Sequence, residues 1–173
     1  MTQLDTALQT KAVRPDAEQL RAWRSFLGAH AAVIERIERD LAVAGRLPLG
    51  SYDVLIALAE ASERRLRMSE LAAAVVLNRS TLTRRVDRLE REGLLTRERF
   101  PEDKRGAYAV LTEAGAQALR AAWPIYARGI VDYFARHLSR AEVTILRDAL
   151  TRITAVAQSE GEKIPEEPAQ HGE

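Results

Sequence analysis

Cysteine is absent from all 173 residues, which excludes disulfides, zinc–thiolate sites and thiol redox sensing together. Histidine is scarce: His30, His137 and His171 lie far apart and form no ligand pair at helical spacing, so no metal site is expected. Long apolar runs are lacking. The longest, LAAAVVL at 71–77, falls far short of a membrane span, and residues 1–20 hold no apolar signal core. Nucleophile–base pairs, a GxxxxGK[ST] phosphate loop and an HExxH helix are all missing. A cytoplasmic, non-enzymatic protein without metal or cofactor is expected, with no membrane association.

A large excess of one charge is also lacking, the net being +1, but the charge is unevenly placed. Residues 79–91 carry Arg79, Arg84, Arg85, Arg88 and Arg91 against Asp87 and Glu90, a local net of +3. Residues 159–173 carry a net of −4 and are expected to form a flexible acidic tail. The length fits one compact domain with extensions, able to bury roughly two-thirds of its unfolded surface.

Residues 1–15 lack periodicity and form an expected arm. From Asp16 to about 44, a helical stripe runs through Leu20, Trp23, Leu27, Ala31, Ile34 and Leu41. It is interrupted by Glu38, where Ile37 covers the gap, and Gly45 and Pro48 end it. A second helix spans about 50–61, capped by Ser51 or Gly50. Ser69 is the expected N-cap of a short third helix, and Asn78 of a fourth with the stripe Leu82, Val86 and Leu89. Gly93 supplies a left-handed stop. Strand-like runs at 95–100 and 107–111 flank the loop PEDKRG (101–106). Thr112 then caps a long helix to about Leu138, in which Pro124 should cause a kink or break. Ser139 opens a last helix through Val156, and periodicity is lost after Ser159.

Two short helices separated by Leu77 and Asn78, followed by a basic hairpin, have the order of a winged helix-turn-helix. The expected fold is mainly α with a small β-wing. The reading module spans about 50–112, within a domain of 16–158. Long helices at about 16–44 and 113–158 carry broad apolar faces suited to a second copy of the chain.

With these parts placed, the chain resembles the MarR family of winged helix-turn-helix regulators. The likeness covers about residues 16–158. It rests on SELAAAVVLNRSTLTRRVDRLEREGLL (69–95), then Asp103-Lys104-Arg105, Ala109-Val110-Leu111-Thr112 and Gly115, in the family's order. The resemblance implies a homodimer joined through its N- and C-terminal helices, on a palindromic operator, usually as a repressor. It also implies release by a small, often aromatic, effector. The oxidant-sensing branch of the family does not fit, because there is no thiol to oxidise.

The expected DNA contacts follow from the helix geometry. Asn78, Arg79, Ser80 and Thr81 open the recognition helix, where side chains reach base edges or phosphates of double-stranded DNA. Thr83, Arg84 and Arg88 lie farther along. Arg79 and Arg84 suit base or groove contact, and Arg88 a phosphate. Arg85 could pair with Glu90 or Glu92, and Arg91 with Asp87, as ordinary surface ion pairs. Lys104 and Arg105 sit at the wing tip, and the resemblance implies minor-groove insertion for Arg105. Asp103 is expected to hold Arg97, Arg99 or Arg105. Trp23, Phe26, His30, Tyr52 and Trp123 are candidates for an effector pocket. The competing function is a helical adaptor using the winged helix for protein contact, whose mark would be loss of these basic residues.

Overall fold

The computed structural model describes residues 14–75, 79–99 and 107–161. Asn78, Asp103, Lys104 and Arg105 therefore lie outside the described residues, as do most of the arm and most of the acidic tail. The chain forms two compact units, one ending at Ile130 and the other starting at Val131.

The first unit opens with α1 (Ala17–Val43). The Asp16 carboxylate accepts the Gln19 N–H at 2.8 Å and the Gln19 side chain accepts the Asp16 N–H at 2.9 Å, a reciprocal cap that satisfies two orphan donors. Gly45 ends the helix at φ +62°, as expected. Next comes α2 (Leu49–Glu60), which begins earlier than expected, with Pro48 in the cap position. Neither Gly50 nor Ser51 caps it. Glu38 does instead, accepting the Leu49 N–H at 3.0 Å. The polar break in the α1 stripe is thus a cap for the following helix.

A strand absent from the sequence-based expectation comes next, β1 (Arg65–Arg67). Three residues are too few to display alternation, and two of them are arginines. Their guanidinium groups lie over the Tyr108 ring, at 4.8 Å for Arg65 and 5.9 Å for Arg67. Then α3 (Met68–Ala74) starts one residue before Ser69, so Ser69 sits inside the first turn. Glu70 caps this helix, accepting the Arg67 N–H at 2.8 Å.

The amphipathic helix α4 (Arg79–Arg91) buries Leu82, Val86 and Leu89 almost completely. Gly93 stops it at φ +71°, with the Leu94 N–H returning to the Leu89 carbonyl at 2.9 Å. Strands β2 (Leu95–Arg99) and β3 (Ala107–Leu111) follow. The sheet order is β1-β3-β2, all antiparallel, with Leu95 opposite Leu111 and Arg97 opposite Ala109. Core side chains come from Ile37 and Leu41 of α1, Val54, Leu55 and Leu58 of α2, Leu71 of α3, and Leu95 and Ala109 of the sheet.

Helix α5 (Glu113–Tyr133) is capped as expected by Thr112, whose hydroxyl accepts the Gly115 N–H at 3.0 Å and donates to the Gly93 carbonyl at 2.8 Å. The helix continues through Pro124 without a break. The interruption falls instead at Phe134, whose backbone leaves helical geometry before a 3₁₀ turn at Ala135–His137. In the second unit, α6 (Arg140–Gly161) begins at the expected Ser139 cap. The Ser139 hydroxyl accepts the Glu142 N–H at 3.3 Å, and Glu142 accepts the Ser139 N–H at 2.8 Å.

Candidate nucleic-acid interface

The burial of Leu82, Val86 and Leu89 determines which way α4 faces. With that stripe against the core, Ser80, Thr83, Arg84 and Arg88 point outward along one exposed face. Thr81 lies at its border, half-buried. Arg79 is the first residue of the helix. Among the described residues, the Arg84 Nε makes a long contact of 3.4 Å to the Ser80 carbonyl of its own helix.

Arg88 and Arg85 have partners within the chain that helix spacing did not assign to them. Arg88 bonds Glu92 at 2.7 Å, one turn on, and that bond with the neighbouring charge raises its pKa. Arg85 pairs with neither Glu90 nor Glu92. It turns inward to α2, its Nη1 3.5 Å from the Ser51 hydroxyl, over Gly50, where a Cβ would stand only 2.7 Å from Arg85 Cζ. Its Nε is buried with no hydrogen-bond partner among the described residues. Asp87 is taken by Arg97 of β2 and not by Arg91.

Arg97 joins the wing to the recognition helix. Its guanidinium bonds Asp87 and also Glu90, the latter at 2.6 Å, while its own N–H reaches the other Glu90 oxygen at 3.2 Å. Burial disfavours the Arg97 charge, but the bonds and charges of Asp87 and Glu90 outweigh it and raise its pKa. Acids of α4 therefore hold Arg97, one of the three arginines considered for Asp103, which itself lies outside the described residues. Sequence spacing within one helix had no means of revealing a partner across the turn at Gly93.

A cavity of about 720 Å³ lies between α2 and α5. Of the five pocket candidates, Tyr52 and Trp123 line it, together with Tyr126, Asp53, Arg64 and Arg120. Trp23, Phe26 and His30 do not. They stack along α1, with ring centroids 5.9 Å and 6.3 Å apart, away from this cavity. Tyr126 was missed because only its helix, and not the rotation of that helix, is legible from spacing. Its ring meets Tyr52 edge-on at 5.0 Å and Trp123 at 6.2 Å. Burial pushes the Tyr52 and Tyr126 hydroxyls above the ordinary phenol range, so both stay neutral donors. Among the described residues no cluster suited to a metal occurs, and no helix is long and apolar enough to cross a membrane.

Comparison with known proteins agrees with this geometry. A model of the MarR family matches residues 47–106. An uncharacterised HTH-type transcriptional regulator of Bacillus subtilis (strain 168), YkoM, is 33% identical over 115 residues, covering 66% of this chain and 73% of the relative. Two solved structures from Streptomyces coelicolor are similar over most of the chain. Sco3205, a MarR family transcriptional regulator in complex with DNA, is 34% identical with a TM-score of 0.78, covering 88% of this chain and 98% of its own. AbsC, of the same family, is 30% identical with a TM-score of 0.77, covering 86% of this chain and 99% of its own.

Proposed function

The chain belongs to the MarR family of transcriptional regulators, which are not enzymes, and on that premise we propose that it is a homodimeric repressor released from a palindromic operator by a small effector. The observation that carries the DNA contact is the one-sidedness of α4. Its apolar stripe is buried to completion while Ser80, Thr83, Arg84 and Arg88 remain outside. Asn78, Arg79, Ser80, Thr81, Thr83 and Arg84 contact the major groove, Arg88 a phosphate, and Lys104 and Arg105 the flanking minor groove, with Asp103 steadying the wing. The similarity to Sco3205, solved with DNA, supports this assignment.

Dimerisation is supported by apolar surface that each unit leaves uncovered. In α1, Trp23, Phe26 and Leu27 are exposed, and in α6 so are Val143, Ile145, Ile153 and Val156. A second copy would remove that surface from water. Two recognition helices then enter successive major grooves about 34 Å apart. The cavity beside Tyr52 is the effector site. Occupancy that changes the spacing of the helices lowers DNA affinity.

The test is a gel-shift titration of the full chain on its own upstream region, with random competitor DNA and varied salt. Competitor-resistant binding that weakens with salt is expected. Binding no tighter than to random DNA, across a genomic fragment library, would overturn the assignment in favour of an adaptor.

A further inference from the structure

Arg85 differs from the other arginines of α4 in the way its side chain leaves the helix. It lies three residues after Leu82 and four before Leu89, so it borders the buried stripe. Its guanidinium turns toward α2 and engages that helix near its start at three positions. Nη1 is 3.5 Å from the hydroxyl of Ser51, a residue only 3% exposed. The Arg85 charge opposes the burial that raises the Asp53 pKa. At Gly50 the contact is steric: a Cβ would stand 2.7, 2.8 and 2.9 Å from Cζ, Nη1 and Nη2. Near-equal distances to all three atoms mean that the guanidinium plane lies flat across Gly50.

Gly50 has no backbone reason to be glycine. Its φ is not positive, unlike those of Gly45 and Gly93, and in a helix glycine is less favourable than alanine. What glycine supplies there is room for the Arg85 guanidinium. The inward pose of Arg85 is costly too, because its Nε is buried with no hydrogen-bond partner among the described residues, whereas an outward pose would give it water. Two local sacrifices thus meet at one contact between α2 and α4. Apolar packing of Leu82, Val86 and Leu89 is non-directional, but a planar group held against a backbone sets a rotation as well as a distance. Thr81, Arg84 and Arg88 share a surface notch with Arg85, so a turn of α4 about its axis moves the outward arginines with it.

We infer that Gly50 and Arg85 are a matched positioning pair: the guanidinium, laid on the bare backbone of α2, sets the rotation at which α4 presents Arg84 and Arg88 to DNA. This role rests on the proposed reading of α4 as the recognition helix, and in it Arg85 touches no DNA. A Cβ at Gly50 would meet only the end of a flexible side chain, which can swing out to water. Gly50→Ala therefore dislodges Arg85 without disturbing the core.

The test is a double-mutant cycle on the full chain, read by anisotropy titration at several salt concentrations, with thermal melting alongside. The probes are the fragment that the native chain binds most tightly and a random sequence of the same length. Gly50→Ala is expected to weaken binding to the specific fragment about tenfold. Random-DNA binding and melting temperature should not fall, since α2 gains a better helix former and the displaced guanidinium keeps its charge. Arg85→Ala should show the same specific loss with an unchanged salt slope. Adding Gly50→Ala to Arg85→Ala should then cost nothing more, because no guanidinium is left to dislodge. Specific affinity unchanged in either single variant, or losses that multiply in the double variant, overturns the pairing and leaves the DNA assignment standing. A salt slope lower by about one unit for Arg85→Ala, on specific and random DNA alike, makes Arg85 a phosphate contact and overturns the pairing as well. So does a melting temperature lowered equally by Gly50→Ala with and without Arg85, which places the lesion in α2 itself. No specific binding by the native chain overturns both the pairing and the DNA assignment.

Discussion

Arg97 and Glu90 bond twice, guanidinium to one carboxylate oxygen at 2.6 Å and backbone N–H to the other at 3.2 Å. A paired contact through both side chain and backbone fixes orientation as well as distance. It holds the first wing strand against the recognition helix. Asp87 closes the third side of the guanidinium. Arg97 therefore ties together the two elements proposed to contact DNA without itself lying on the exposed face of α4.

Replacing Arg97 by Met should weaken binding to a specific operator by about tenfold or more, with the salt dependence unchanged. A phosphate contact would behave differently, since its loss flattens the slope of log K against log salt by about one unit. Anisotropy titrations at several salt concentrations measure both. Arg97→Lys should restore only part of the affinity, because an ammonium lacks the fork that spans two acids.

Arg84 and Arg88 should separate cleanly. Arg84→Ala is expected to lose specific binding far more than random binding, by about 1–3 kcal/mol of discrimination if it reads a base. Arg88 is held by Glu92, so Glu92→Gln should free it. The expected result is tighter binding to any DNA, with a steeper salt dependence. Equal losses on specific and random DNA for Arg84→Ala would make it a phosphate contact.

Glu38→Ala should lower stability by about 1 kcal/mol, the usual cost of losing a helix cap, because the Leu49 N–H then has no acceptor from α1. Glu38→Gln should recover most of it, since an amide oxygen can accept the same bond. Urea unfolding of all three proteins, with a constant m-value, tests this.

Gly115→Ala should be the most damaging conservative change. A Cβ there would stand 2.0 Å from the Leu94 carbonyl oxygen, a backbone atom with no freedom to withdraw, and 2.8 Å from Leu111 Cδ1. A loss of about 3 kcal/mol or more is expected from such overpacking. Gly129→Ala meets Ile37 Cγ1 at 2.7 Å, and a side chain can shift, so its melting temperature should fall less.

What the amino-acid order alone determined was local. The Leu82–Val86–Leu89 stripe, the Gly93 stop and the caps at Thr112 and Ser139 are set by contacts within a turn or two of helix, and spacing reports such contacts directly. The tertiary structure decided the rest. It paired Glu38 with Leu49, turned Arg85 onto Ser51 and Gly50, gave Arg97 to Asp87 and Glu90, and made β1 by laying Arg65–Arg67 beside β3. It also set Tyr126 beside Tyr52 and left Trp23, Phe26 and His30 off that wall. Long charged side chains reach several acids at similar cost, and a ring's neighbours depend on how each helix is rotated in the packed core. Neither quantity is carried by spacing along one segment, so only the assembled chain selects the partner.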